Sequence, residues 1–185
     1  PSGSVFVMFK SGKEELTVSN QHLSQKSVVP VKGKWRIEFP AGWGAPDTVI
    51  TDSLKSWKEL GLSEEGRAFS GTVTYKTDFV MDIQASPKRV MLDLGQVNMI
   101  AKVKVNGKTV GTLWTEPYLT DITGIVKNGS NKLEVEVTST WFNRLVFDAG
   151  QNEAKRKTWT IKGPSQKEAL VPYGLLKQVN IIIYN

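Results

Sequence analysis

Residues 101–105 alternate between apolar and charged positions: Ala101, Val103 and Val105 against Lys102 and Lys104. A period of two predicts a strand with one buried face and one wet face. Asn106-Gly107 follows at once. Both central residues of a type I′ turn need positive φ, which Asn and Gly reach cheaply, so the dipeptide predicts a hairpin with a return strand over 109–113. Leu133, Val135 and Val137 alternate with Glu134, Glu136 and Thr138, and a Gly129-Ser130-Asn131 turn leads into them. Asn128-Gly129-Ser130 also matches a glycosylation acceptor, but the turn role accounts for it.

The alternation recurs at Trp35, Ile37 and Phe39, at Val73, Tyr75, Thr77 and Phe79, and at Val90, Leu92 and Leu94. The run VFVMF at 5–9 predicts a buried strand, with a turn at 11–13 and a partner over 16–18. Residues 179–184 read as a closing strand, apolar on both faces. One helix is predicted, over 51–62, with Ser53 as its cap, Leu54, Trp57 and Leu60 on one face and Gly61 as its stop. The stretch 21–28 is polar and unpatterned and reads as a linker. It suggests a boundary near Val29, with 1–28 ending a preceding β domain and 29–185 forming one sandwich. Residues 66–71 read as loop. Residues 142–172 read as a long loop with one strand near 158–161, and such loops are usually functional or mobile. Many short strands and one stub of helix predict an all-β, antiparallel sandwich or jelly roll.

Composition narrows the function classes. The 185 residues suffice for one good core. A formal charge of +6 could serve an anionic polymer, yet the lysines are spread along strands and turns, which argues against a nucleic-acid binder. There are no cysteines, which excludes disulfides and thiolate chemistry. No run of 18 apolar residues suggests a membrane span. His22 is the one histidine, so neither a Ser-His-Asp triad nor a zinc cluster can form. No phosphate-cradling glycine motif is present.

Two clusters carry candidate chemistry. Trp114, Glu116 and Tyr118 place a ring, a carboxylate and a phenol within five residues after a strand. Asn143, Arg144 and Asp148 form the second, with Trp141 as a further candidate ring before them; Arg144 could instead pair with Asp148 to brace a loop. Exposed aromatic rings stack on sugar faces while polar neighbours take the hydroxyls, which makes carbohydrate a candidate ligand; the alternative is that each ring plugs one end of the sandwich. A self-sufficient hydrolase would need a pair of carboxylates, and Asp121 with Asp148 is the pair to test.

Read together, these segments resemble a known module. Ser70-Gly71-Thr72-Val73-Thr74-Tyr75 is similar to a strand of the β-sandwich modules of bacterial glycoside hydrolases. So are Leu92-Asp93-Leu94-Gly95, Asn106-Gly107-Lys108, Gly111-Thr112-Leu113-Trp114, Pro117-Tyr118, the strand 131–138, Asn143-Arg144-Leu145 and Gly174-Leu175-Leu176. The loop Gly42-Trp43-Gly44-Ala45-Pro46 fits as well. The closest resemblance is to the C-terminal galactose-binding-like jelly roll of family 106 α-L-rhamnosidases, itself similar to the sugar-binding domain of family 2 glycosidases. The resemblance covers about 30–185. It departs where Lys177-Gln178-Val179 stands for Gly-Pro-Val, and where Phe147 stands for a glycine.

The resemblance implies a non-catalytic accessory module, whose partners are a catalytic barrel of the same polypeptide and a plant or microbial polysaccharide. It implies a secreted or periplasmic enzyme that needs neither nucleic acid nor membrane. No cofactor is implied beyond the structural calcium that such jelly rolls often carry. An autonomous carbohydrate-binding module is the alternative.

Overall fold

The computed structural model describes residues 25–82 and 87–184. The expected strands at 5–9 and 16–18 and the loop histidine His22 lie outside the described residues. Among the described residues there are twelve strands: β1 (Gln25–Pro30), β2 (Trp35–Glu38), β3 (Thr48–Thr51), β4 (Thr72–Met81), β5 (Arg89–Asp93), β6 (Val97–Asn98), β7 (Ile100–Val105), β8 (Lys108–Leu113), β9 (Leu119–Asp121), β10 (Gly129–Thr138), β11 (Gly174–Leu175) and β12 (Asn180–Tyr184). Two short α-helices join them, α1 (Glu64–Arg67) and α2 (Phe142–Ala149).

Every strand pair among the described residues is antiparallel. A six-stranded sheet runs β3-β2-β4-β10-β7-β8, a four-stranded sheet runs β1-β12-β5-β9, and β11-β6 forms a small ribbon. The inward-facing alternates fill the interior: Trp35, Ile37, Val73, Tyr75, Val103, Val105, Leu133 and Val135 from the larger sheet, Val90, Leu92 and Ile181 from the smaller. Fully burying a Val, Leu, Ile or Phe side chain gains roughly 1.5–3 kcal/mol, so a one-residue slip of a central strand would turn its whole apolar set to water. The fold is the predicted all-β sandwich.

The hairpin forms as read. Asn106 and Gly107 have φ of 51° and 79°, and Val105 faces Lys108 across the turn. The Asn106 side chain does more than turn the chain. Its Oδ1 accepts from the Lys132 amide at 3.0 Å, and its Nδ2 donates to the Ile125 carbonyl and to Asn131 Oδ1.

Four local expectations are corrected. From Gln25 on, the stretch read as a linker is strand β1, held by backbone pairing to β12. Residues 51–62 do not form one helix: a 3₁₀ turn at Trp57–Glu59 is followed by α1 at Glu64–Arg67, capped by Ser63, in part of the stretch read as loop. Residues 142–149, read as loop, form α2. Residues 158–161 form no strand: their alternation of Thr158, Trp159, Thr160 and Ile161 has no sheet to pair with, and Trp159 and Ile161 stay exposed.

Candidate functional site: the tryptophan-bearing end

Register collects the candidate residues at one end of the six-stranded sheet. Thr138, the last residue of β10, faces Ile100 at the start of β7 and Thr72 at the start of β4. Leu113, the last of β8, faces Ala101, and Glu38, the last of β2, faces Thr74. The segments carrying Trp43, Trp114 and Trp141 therefore all leave the sheet on the same side. Trp114 is 74% exposed and Trp141 48%, and Met99 and Ile100, at the start of β7 on that side of the sheet, are exposed too.

The first predicted cluster divides. Trp114 and Glu116 are exposed. The Tyr118 ring is buried, and its hydroxyl donates to the Met99 carbonyl at 3.0 Å. Burial, with a smaller push from the Glu116 carboxylate, raises the phenol above its ordinary pKa. Tyr118 thus ties the loop bearing Trp114 to the strand start bearing Met99.

The second cluster turns inward. Asn143, Arg144 and Asp148 are all buried, and their polar atoms find partners within the chain. Asn143 grips the returning chain by two 2.8 Å bonds to the Val171 backbone, one donated and one accepted. Arg144 donates to Asp148 from Nε at 3.1 Å and from Nη2 at 2.7 Å, and to Glu65 from Nη1 at 2.8 Å. Asp148 Oδ2 also accepts from the Lys157 amide at 3.1 Å and from the Thr158 amide and hydroxyl at 2.7 Å. Of the two roles open to Arg144, the structure places it in the brace. Burial alone would push the Asp148 carboxyl up, but the Arg144 guanidinium and the Thr158 donors outweigh it and hold it below the usual aspartate value. The Glu65 carboxyl is lowered by Lys157 and then by Arg144.

The brace orders the aromatic surface above it. The Arg144 guanidinium carbon lies 5.4 Å from the Trp43 ring centre and the Lys157 ammonium 5.6 Å, both within cation–π range. Trp141 packs on Trp43 with ring centres 5.4 Å apart. Phe147 lies 5.1 Å from the same guanidinium carbon and shields it. Gly44 is needed here: its φ is +82°, and a Cβ would stand 2.4 Å from Glu65 Cγ. Trp43, Glu65 and Lys157 complete the cluster. The sequence offered no signal for Glu65, which lies 79 residues from Arg144.

Asp121 and Asp148 do not form a catalytic pair as the chain stands, since each is engaged by its own cation. Asp121 accepts from Arg89 at 2.9 Å and from the Thr123 amide at 2.9 Å. Among the described residues no three acidic or imidazole side chains gather to hold a metal ion, so a carboxylate-rich donor set for the implied calcium is not assembled there. No helix among them is long and apolar enough to cross a membrane.

The family described as "Glycosyl hydrolase 2 galactose-binding domain-like" matches residues 48–170, and the chain belongs to it. A curated protein of Formosa agariphila, named "Putative beta-glucuronidase", is 44% identical over 123 residues, which is 65% of this chain and 10% of that protein. The rhamnosidase of Novosphingobium sp. PP1Y matches in structure with a TM-score of 0.75 and 34% identity, over 87% of this chain and 16% of that one. A β-glucuronidase of Ruminococcus gnavus matches with a TM-score of 0.65 at 19% identity, over 86% and 29%; at that identity the likeness is one of fold. The chain therefore spans a small part of each of these relatives.

Proposed function

We propose that the chain is a non-catalytic accessory sandwich of a glycoside hydrolase of the α-L-rhamnosidase kind. It packs against a catalytic barrel of the same polypeptide and lends its tryptophan-bearing end to the substrate cleft. The observation that carries this reading is the gathering of Trp114, Trp141, Met99 and Ile100, all exposed, at one end of the sheet. A contiguous exposed apolar surface marks an interaction site. Trp114, Glu116 and Trp141 supply the carbohydrate contact. Tyr118, Asn143, Arg144 and Asp148 hold those rings in place from beneath. The parent enzyme is secreted or periplasmic and acts on plant or microbial polysaccharide, as the family resemblance implies.

The exposure of Trp114 with a free-standing carboxylate two residues on favours a second reading, an autonomous carbohydrate-binding module. Calorimetric titration of the isolated chain with rhamnose- and galactose-containing oligosaccharides separates the two. Absence of heat at millimolar sugar supports the accessory role. Heat that Trp114→Ala abolishes supports autonomous binding.

A further inference from the structure

The outward face of the six-stranded sheet carries charges that its own stability does not call for. Register sets Arg36 opposite Lys76, Lys76 opposite Glu134, and Glu134 opposite Lys104. This row holds three cations and one carboxylate. Like charges directly opposite on neighbouring strands weaken a sheet, yet Arg36 and Lys76 stand so. Glu38 relieves them from the adjoining row, at 2.9 Å from Arg36 and 2.7 Å from Lys76. Lys104 is held by Glu134 and Glu136 at 2.6 and 2.7 Å.

The next row, away from the tryptophan-bearing end, sets Lys132 opposite Asp78. Neither Lys132 nor Lys34 has an ion pair within 4.0 Å among the described residues, and both are exposed. A groove of about 450 Å³ lies over these rows. Its lining includes five cations, Lys34, Arg36, Lys76, Lys104 and Lys132, against two carboxylates, Asp78 and Glu134. The row nearer the tryptophans has the opposite balance, with Glu38 and Glu136 against Lys102. The positive field is thus confined to one half of the face. Departures from local stability rules concentrate at functional sites.

We infer that this groove binds an acidic polysaccharide through its carboxylates, with the chain of sugars laid across the strands. Neighbouring strands lie about 4.8 Å apart, close to the length of one pyranose residue, so successive sugars meet successive strands. Lys34 and Lys132 provide the ammonium groups that no internal carboxylate claims, and Arg36, Lys76 and Lys104 sustain the field around them. The choice of a glycan over a nucleic acid rests on family membership. The site is separate from the tryptophan-bearing end.

The test is affinity electrophoresis of the full chain through gels containing polygalacturonate, its methyl ester, heparin or an oligonucleotide, at low and high salt. Polygalacturonate retards the chain, salt releases it, and the uncharged ester does not bind. The double variant K34E/K132E binds polygalacturonate about tenfold more weakly, since charge contacts of this kind dominate such affinity. K34Q/K132Q loses less. K162E/K167E, which changes net charge by the same amount on an exposed loop elsewhere, binds as the unaltered chain does. Thermal melts confirm that the variants fold. The inference is overturned by absence of retardation at low salt, by equal binding of the ester, or by equal loss in K162E/K167E. Tighter binding of heparin or of the oligonucleotide than of polygalacturonate overturns it as well. None of these outcomes touches the role of the tryptophan-bearing end, which neutral oligosaccharides probe.

Discussion

Arg144 and Asp148 stand one helical turn apart on α2 and close a two-point ion pair at 3.1 and 2.7 Å, with side chains only 1% and 2% exposed. Around this pair the chain gathers four distant pieces: Ser70, whose hydroxyl accepts from the Arg144 amide at 3.1 Å, Glu65, the Trp43 ring and the segment at Lys157 and Thr158. A buried ion pair is weak evidence of net stability, but removing one partner strands the other charge.

Arg144→Ala should therefore cost about 3–5 kcal/mol, read as a lowered urea midpoint. It should also change Trp43 fluorescence, since the ring loses a cation and a packing partner. Arg144→Lys should recover only part, because an ammonium cannot make the two-point contact. An unchanged midpoint in Arg144→Ala would mean that the segment after α2 is held by other means.

The same site sets an acid limit. Asp148 and Glu65 both have folded-state pKa values held below their ordinary 3.8 and 4.5. A carboxyl with a depressed folded value adds stability that is complete above its unfolded value and is lost as pH falls through the folded one. Stability should then be level from neutrality down to about pH 5, and fall below the ordinary carboxylate range. Asp148→Asn should lower the plateau and flatten the acid limb in urea melts taken across pH. A limb of equal steepness in that variant would assign the acid sensitivity to other carboxylates.

In the core, the Trp57 indole donates to the Tyr75 hydroxyl at 2.6 Å, and that hydroxyl also accepts from the Leu175 amide at 3.3 Å. Burial drives the Tyr75 phenol far above its ordinary value, so it stays protonated at any working pH. Tyr75→Phe leaves two buried donors short of a partner and should cost about 1–3 kcal/mol. Gly174→Ala should cost at least as much: φ is +122°, and the new Cβ would meet Tyr75 Oη at 2.6 Å. Calorimetric melting of both variants checks this, and a loss below 0.5 kcal/mol in Tyr75→Phe, roughly the lower limit for one hydrogen bond, would contradict it.

Strands β2, β4, β5, β7 and β10 were legible because their buried faces follow a period of two, as in Ala101, Val103 and Val105. Helix α2 was not, although Phe142, Leu145, Val146 and Ala149 stand at helical spacing: it is only eight residues long, and its buried face mixes Val146 with Asn143, Arg144 and Asp148, residue types that read as loop. Its N-cap residue, Trp141, makes no side-chain capping bond either, which removes the usual start signal. The segment 158–161 failed in the opposite sense. Its alternation is genuine, but Thr158 is tied to Asp148 instead of to a neighbouring strand. For the candidate site, the individual tryptophans and the Arg144–Asp148 option were readable. Their gathering at one end was not, because it depends on sheet register.

Hydrolysis by the pure chain is the most direct measure of the accessory role. With nitrophenyl α-L-rhamnopyranoside and nitrophenyl β-D-glucuronide, release of nitrophenol should match that in buffer alone. Saturable turnover that disappears in Asp121→Asn or Asp148→Asn would contradict the accessory role and make this sandwich a hydrolase in its own right.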